Sequence, residues 1–357
     1  MRHFLELCLR SVDAAIDGVD AEIIVVDNQS NDDSCEMVRS SFPHATLIQN
    51  DKNYGFSKGN NIGVEYAKGE YICILNPDTV VAEDTFKNLL IFADQTKDLG
   101  IVGCRLIDGV GQFLPESKRQ IPTPGVAIKK ILGWSRSYYA LNVAENEIGS
   151  VPIFVGAFML LKREVYNAVG GFDEDYFMYG EDIDLSYKVL KAGYKNIYNG
   201  ETTIIHYKGE STLKDKTYAK RFYGAMQIFY DKHFKSNILF DAIVWLGIKL
   251  ARLTASKEDR GYESPIRYVL VSSNSNLNLN QALNSEIEVI PTIDIYENNT
   301  EYILDNHYLS FGLIIDMLSK SPKNSTTTFK ILAKNSNFII GSNSSKQRGQ
   351  VLPLTNN

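Results

Sequence analysis

Residues 22–31 read EIIVVDNQSN, a short apolar run over Glu22 to Val26 that breaks at Asp27 into a polar turn. A short continuous apolar stretch ended by Asp, Asn and Ser is the pattern of a parallel strand buried on both faces, with its carboxyl end opening into a loop. Working outward, the pattern predicts a helix near Ser34 to Ser40 and strands at Thr46 to Gln49 and Tyr71 to Leu75. Between those strands lie a Gly/Asn-rich loop and a helix from Gly55 to Ala67. Asn76-Pro77-Asp78-Thr79 stops the second strand, a helix follows over Glu83 to Thr96, and a further strand over Gly100 to Leu106. This alternation predicts an α/β domain wound on both faces of its sheet. Upstream, Phe4, Leu5, Leu7, Cys8, Leu9 and Val12 recur at helical spacing, so the chain opens in a helix with no strand ahead of it.

Residues 107–150 are poorly periodic and rich in Pro, Gly and aromatics, which predicts a long functional loop region. Phe154 to Leu161 reads as a buried strand, leading through Arg163 to Val169 into the turn Gly170-Gly171-Phe172-Asp173-Glu174. A helix starts at Glu181-Asp182, buries Leu185, Val189 and Leu190, and ends where Gly193 supplies the cap; Thr202 to His206 is the last strand of a domain spanning 1–215. In the following segment, 216–262, Ile238-Leu239-Phe240 and Ile243 to Leu246 are flanked by Lys232, Lys235, Lys249 and Arg252. It reads either as a helical linker or as a basic amphipathic helix lying on anionic lipid, and it is too interrupted to span a membrane. Residues 263–357, enriched in Asn and Ser with short apolar runs, predict a small α/β domain.

With 357 residues, 44% hydrophobic and 22% charged, the chain has material for two packed units rather than a disordered one. Thirty-seven basic against 43 acidic residues give a net charge of −6, which supplies no field for nucleic acid, so an anionic substrate must be held by a metal or by positioned donors. Cys8, Cys35, Cys73 and Cys104 lack metal-ligand spacing and read as reduced structural thiols; with no secretory signal at the front, the expected compartment is the cytoplasm.

Open α/β sheets bind ligands outside the carboxyl ends of their strands, and four polar clusters fall there. Asp27-Asn28-Gln29-Ser30 is either turn and cap chemistry or a carboxylate holding the base or ribose of a nucleotide. In Asn53-Tyr54-Gly55-Phe56-Ser57-Lys58-Gly59-Asn60-Asn61, glycines allow close backbone approach and a helix N-terminus favours an anion. Asn76-Pro77-Asp78 is either a turn after a strand or a carboxylate projected from a solvent-facing strand end, where a hard cation bridging a diphosphate needs few protein oxygens. Gly180-Glu181-Asp182 opens a helix with paired carboxylates, which either complement the helix dipole or carry chemistry, and His206 closes a strand on the same rim.

The set VVDNQSND (25–32), NYGFSKGNN (53–61), NPDT (76–79), GGFDEDYFMYGEDIDLSYK (170–188) and HYKGES (206–211) resembles the family 2 inverting glycosyltransferases, within them the rhamnosyltransferase-like branch, from Met1 to about Thr212. The resemblance implies a GT-A fold, a mixed sheet with helices on both faces, here without the strand with which family members begin. It implies donor contacts from Asp27, Asn28, Ser30, Gly55, Lys58, Asn60 and Asn76, a divalent cation (Mg²⁺ or Mn²⁺) on Asp78 and His206, and Asp182 as catalytic base. Glu181, Asp173 and Glu174 would support the acceptor. Asn76 replaces the first carboxylate of the DxD-like motif. The implied partners are a nucleotide-diphosphate sugar and a lipid-linked or cell-surface glycan, met at the inner face of a membrane. A degenerate chain that binds a glycan or partner without turnover is the alternative. A nucleotidyltransferase on a similar sheet would want a basic Gly-rich loop at its first strand.

Overall fold

The computed structural model describes residues 1–123, 125–126, 129, 134–207, 216–234, 265–323, 325–343 and 349–354. The amphipathic run with Ile238, Phe240, Trp245 and Lys249 lies outside the described residues. The chain enters through α1 (Arg2–Ala15), which buries the stripe Phe4, Leu7, Cys8, Val12 and Ala15. Then come β1 (Ile24–Asp27), α2 (Ser34–Ser41), β2 (Thr46–Gln49), α3 (Gly55–Tyr66), β3 (Tyr71–Leu75), β4 (Thr79–Val80), α4 (Thr85–Gln95) and β5 (Leu99–Ile107), in the order the sequence predicts except for the short β4, which the pattern does not show. Past the long loop lie β6 (Ile148–Ser150), β7 (Phe158–Lys162), α5 (Arg163–Ala168), α6 (Glu181–Lys191), β8 (Lys195–His206) and α7 (Lys216–His233).

The central sheet is mixed, in the order β3-β7-β5-β8-β4, with β6 also on β8. β5 runs parallel to β8, while β7 is antiparallel to both β3 and β5. Two strands differ from their expected limits for local reasons. The strand expected from Phe154 begins at Phe158, because Ile153 exchanges both backbone hydrogen bonds with Arg119 of the long loop instead. The strand expected from Thr202 reaches back to Lys195: a register shift opposite Cys104 and Arg105 lets it pass Gly200, which breaks the apolar pattern in the sequence.

A larger difference concerns β1. Its expected burial on both faces is not what is found: Ile24, Val25 and Val26 are each only half-buried. The reason is that, among the described residues, β1 pairs with β2 alone, in a separate two-stranded parallel sheet, and its other edge faces a cavity.

The C-terminal unit is built from β9 (Arg267–Val271), α8 (Leu277–Leu283), β10 (Glu288–Ile290), β11 (Thr300–Asp305), α9 (Phe311–Ser319), β12 (Thr328–Leu332), β13 (Phe338–Gly341) and β14 (Gln350–Pro353), in the sheet order β10-β9-β11-β12-β13-β14. One apolar cluster joins Phe4, Leu7, Val80, Ile205 and Tyr207 to Val271, Leu304, Ile314 and Phe338, so this sheet and α9 pack directly on the first unit. Glu83 completes the joint: its carboxylate accepts from Phe311 N at 2.6 Å and Gly312 N at 2.9 Å, satisfying two free donors at the start of α9. All four cysteines are free. Among the described residues, no helix is long and apolar enough to cross a membrane.

Candidate active site

One cavity of roughly 1290 Å³ gathers most of the expected site residues: Asp27, Asn28, Ser30, Gly55, Asn60, Asn76, Asp78, Glu181, Asp182 and His206 all line it. Lys58, Asp173 and Glu174 are not in that lining. Lys58 Nζ lies 3.2 Å from Glu174, and Asp173 holds Lys232 of α7 at 2.5 Å, so these three tie the α3 loop, the Gly170–Glu174 turn and α7 together.

The nucleotide-side loops are braced by short polar side chains. The Asp27 carboxylate accepts from Ser30 N at 3.2 Å, closing the turn after β1. Asn28 donates to Gly55 O at 2.8 Å and accepts from Asn50 Nδ2 at 2.8 Å, joining the loops after β1, after β2 and before α3. Gly55 has φ +84°, and a Cβ there would stand 2.2 Å from Phe177 O, so only glycine lets the loop ahead of α6 pack here. Asn60 donates to Phe56 O inside its own helix.

Asp78 is 1% exposed, so the expected solvent-facing strand end is instead buried, covered where β4 pairs with β8 and Tyr207 N donates to Asp78 O. Its Oδ1 lies 3.4 Å from His206 Nε2, and Asn76 Nδ2 is 3.5 Å from the same nitrogen. Among the described residues, neither carboxylate oxygen of Asp78, nor His206 Nδ1, makes a hydrogen bond. Buried polar atoms are almost always paired, so a carboxylate and an imidazole left open beside an amide are a donor set that fits a hard divalent cation. Asp78 and His206 are two ligands only; among the described residues no group of three or more His, Cys, Asp or Glu could hold a metal.

The second chemical centre is the start of α6. Tyr179 (φ +72°) and Gly180 (φ +81°) both sit in the left-handed region, and this turn sets the helix so that its first two residues face the cavity. Three donors hold Asp182: Oδ2 accepts from Arg119 Nη2 at 2.5 Å and Gly156 N at 3.1 Å, and Oδ1 from Ile183 N at 2.8 Å. Glu181 is buried, its Oε2 without a hydrogen-bond partner among the described residues, and burial, followed by the charge of Asp182, pushes its carboxyl up to about 8. Burial works against the charge on Arg119, but Asp182 and Tyr138 outweigh it and raise the guanidinium above its usual range. Sequence reasoning missed Arg119, because its position comes from backbone pairing with Ile153 in a loop without periodicity.

Residues 2–170 match the family described as Glycosyl transferase family 2. Residues 2–170 thus carry a family 2 glycosyltransferase domain, and the chain is a glycosyltransferase with a mixed α/β fold. The matched segment contains Asp27, Asn76 and Asp78, and Glu181, Asp182 and His206 follow it. The chain is similar to the N-acetylglucosaminyl-diphospho-decaprenol L-rhamnosyltransferase of Mycobacterium tuberculosis, 26% identical over 213 residues, which cover 54% of this chain and 68% of that protein. It is also similar to the low-salt glycan biosynthesis hexosyltransferase Agl10 of Haloferax volcanii, 26% identical over 239 residues, covering 65% and 72% respectively. Among solved structures it is similar to the mannosyltransferase PcManGT of Pyrobaculum calidifontis in complex with GDP-Man and Mn²⁺: 21% identity, 71% of this chain, 67% of that chain, TM-score 0.46.

Proposed function

We propose that this glycosyltransferase moves a hexosyl or rhamnosyl unit from a nucleotide-diphosphate sugar to a hydroxyl of a lipid-linked or cell-surface glycan, inverting the anomeric carbon. The observation that carries the reading is the joining, in one cavity, of the Asn76, Asp78 and His206 donor set with the Glu181–Asp182 pair. The nucleoside end of the donor lies against Asp27 and the loop braced by Asn28. Asp78 and His206, with Asn76 beside them, would hold a divalent cation, which when bound supplies positive charge against the departing diphosphate.

Asp182 takes the proton from the acceptor hydroxyl as its oxygen attacks. Its two oxygens are fixed by Arg119, Gly156 and Ile183, so the base meets the acceptor in one orientation. Glu181, with its carboxyl pushed up to about 8, stays protonated at neutral pH and does not compete as the base. Arg119 acts through Asp182 and is a positioning residue. The mycobacterial relative's name specifies a lipid-diphosphate sugar acceptor, which supports a lipid-linked acceptor here and work at the inner face of the plasma membrane.

The test is turnover. Nucleotide sugars are offered with Mn²⁺ or Mg²⁺ and a polyprenyl-diphosphate sugar acceptor, and product is followed by mass with the anomeric configuration read by NMR. Inverted product that disappears in the Asp182→Asn protein is expected. Donor binding with no transfer to any acceptor would favour a non-catalytic glycan-binding chain.

A further inference from the structure

A second cleft, roughly 540 Å³ in volume, opens at the joint between the first unit and the C-terminal one, and it shares no lining residue with the cavity of Asp182. One wall is β5 and β8, through Arg105 and Thr203; the others are the start of α4, through Asp84 and Asn88, and α9, through Asp316 and Ser319. A Cβ at Gly200 would stand 2.6 Å from Glu145 O, so glycine there lets the loop ahead of β6 fold over β8 and brings Asn146 into the lining. Thr203 and His206 are three residues apart on β8, so their side chains leave opposite faces of the strand, about 10 Å apart along it. The cleft is therefore separate from the transfer site.

At its centre is Arg105. The side chain is only 11% exposed, yet its contacts are long: Nη1 donates to Ser319 Oγ at 3.4 Å and Thr203 Oγ1 at 3.5 Å, and Nη2 lies 3.7 Å from Glu145 Oε2. Nε makes no hydrogen bond among the described residues. A well-partnered guanidinium holds charged oxygens at about 2.7 to 2.9 Å, so this one is short of acceptors. The rest of the lining selects what could supply them. Asp84, Glu201 and Asp316 set three carboxylates against one guanidinium, which disfavours phosphate or sulfate. Among the described residues no three His, Cys, Asp or Glu could share a metal ion. Ala82 and Ile315 are the only hydrocarbon side chains among the described lining residues, too little for an apolar ligand. What remains is a neutral molecule covered in hydroxyl groups, each able to donate to a carboxylate and to accept from a guanidinium or an amide. We propose that this cleft binds a neutral saccharide unit, Arg105 donating to its oxygens and Asp84 and Asp316 accepting from its hydroxyls. The volume lies within the range of small-molecule sites. A glycan held there stays on the enzyme between transfers; that role rests on the acceptor reading above, whereas the binding itself does not.

The experiment titrates the isotope-labelled full chain with L-rhamnose, N-acetylglucosamine and cellobiose, followed by amide NMR, with sodium sulfate as the anion probe. At least one sugar is expected to shift the amides of Thr203, Gly312 and Ser319 with a millimolar Kd, whether or not those of Gly156 and Asp182 in the transfer cavity also move. Asp316→Ala should weaken that binding about tenfold, and Ser319→Phe, which fills the cleft, should abolish it. Both positions are partly exposed on α9, and melting curves check that these variants stay folded. Arg105→Met should lose the shifts as well; if it does not fold, the two α9 variants still decide. No shift at the cleft amides with any of the three sugars, or the same Kd in Ser319→Phe as in the parent, overturns the proposal. So do shifts confined to Gly156 and Asp182, which would put the sugars in the transfer cavity alone, and sulfate binding tighter than any sugar. None of these readouts depends on glycosyl transfer.

Discussion

Arg119 reaches across 63 residues to place its Nη2 at 2.5 Å from Asp182 Oδ2, and both side chains are buried. A buried ion pair adds little net stability, but removing one partner leaves the other charged and uncompensated, at a cost of about 3–5 kcal/mol. Arg119→Met is therefore expected to be strongly destabilised. The double variant Arg119→Met with Asp182→Asn should recover part of that loss. Urea unfolding of the four proteins in the cycle measures it, and simple additivity would mean that the two groups are not coupled.

Asp182→Asn keeps the shape of the helix start and removes the proton acceptor. Turnover should fall by about 10² to 10⁴-fold, the usual worth of a positioned base, with donor affinity retained. Glu181→Gln should cost less, because the amide resembles the neutral acid it replaces. Steady-state kinetics beside donor titrations separate the two, and equal losses in both variants would reassign the base.

Asp78 couples stability to cation binding in opposite directions. Its oxygens are buried without hydrogen bonds among the described residues, so Asp78→Asn, which replaces a buried carboxylate by a neutral amide, should raise the melting temperature of the metal-free protein. The same change should abolish the stabilisation that Mn²⁺ with a nucleotide sugar gives the parent chain. Thermal melts with and without both ligands report on each effect; an unchanged ligand shift in the variant would remove Asp78 from the cation site.

Glu181 sets a pH dependence of known sign. The unfolded chain releases this proton near the ordinary value of 4.5, and the folded chain holds it to about 8. Between those values the native state binds more protons, so stability falls as pH rises, by up to ~1.4 kcal/mol per pH unit from this group. Below 4.5 the effect vanishes. Denaturant midpoints from pH 5 to 8.5 should decline less steeply in Glu181→Gln than in the parent.

Glu83 reaches from the first unit to cap α9, with bonds of 2.6 and 2.9 Å to the first two backbone N–H groups. Glu83→Ala should cost about 0.5–2 kcal/mol, the range for a lost N-terminal cap. Exchange at Phe311 and Gly312 should quicken, while the fold of the sheet around β5 is untouched.

How much of this was legible in the sequence depends on the range of the interactions. Strands and helices from Ile24 to Leu106 follow from apolar runs and the polar residues that end them, because these patterns are local, and so does the placing of Asp27, Asn76, Asp78, Glu181, Asp182 and His206 at strand ends and a helix start. Only the tertiary structure decided what surrounds those groups. Asp78 is buried because β4 pairs with β8, 127 residues further on, across Thr79 and His206. Asp182 is locked by an arginine whose position depends on backbone pairing with Ile153. Lys58, Asp173 and Glu174 were drawn into surface ion pairs beside the cavity rather than into it. Pattern along a chain records which residues prefer an interior; which charge meets which is fixed only when distant segments are brought within a few ångströms, where charge and hydrogen bonding act.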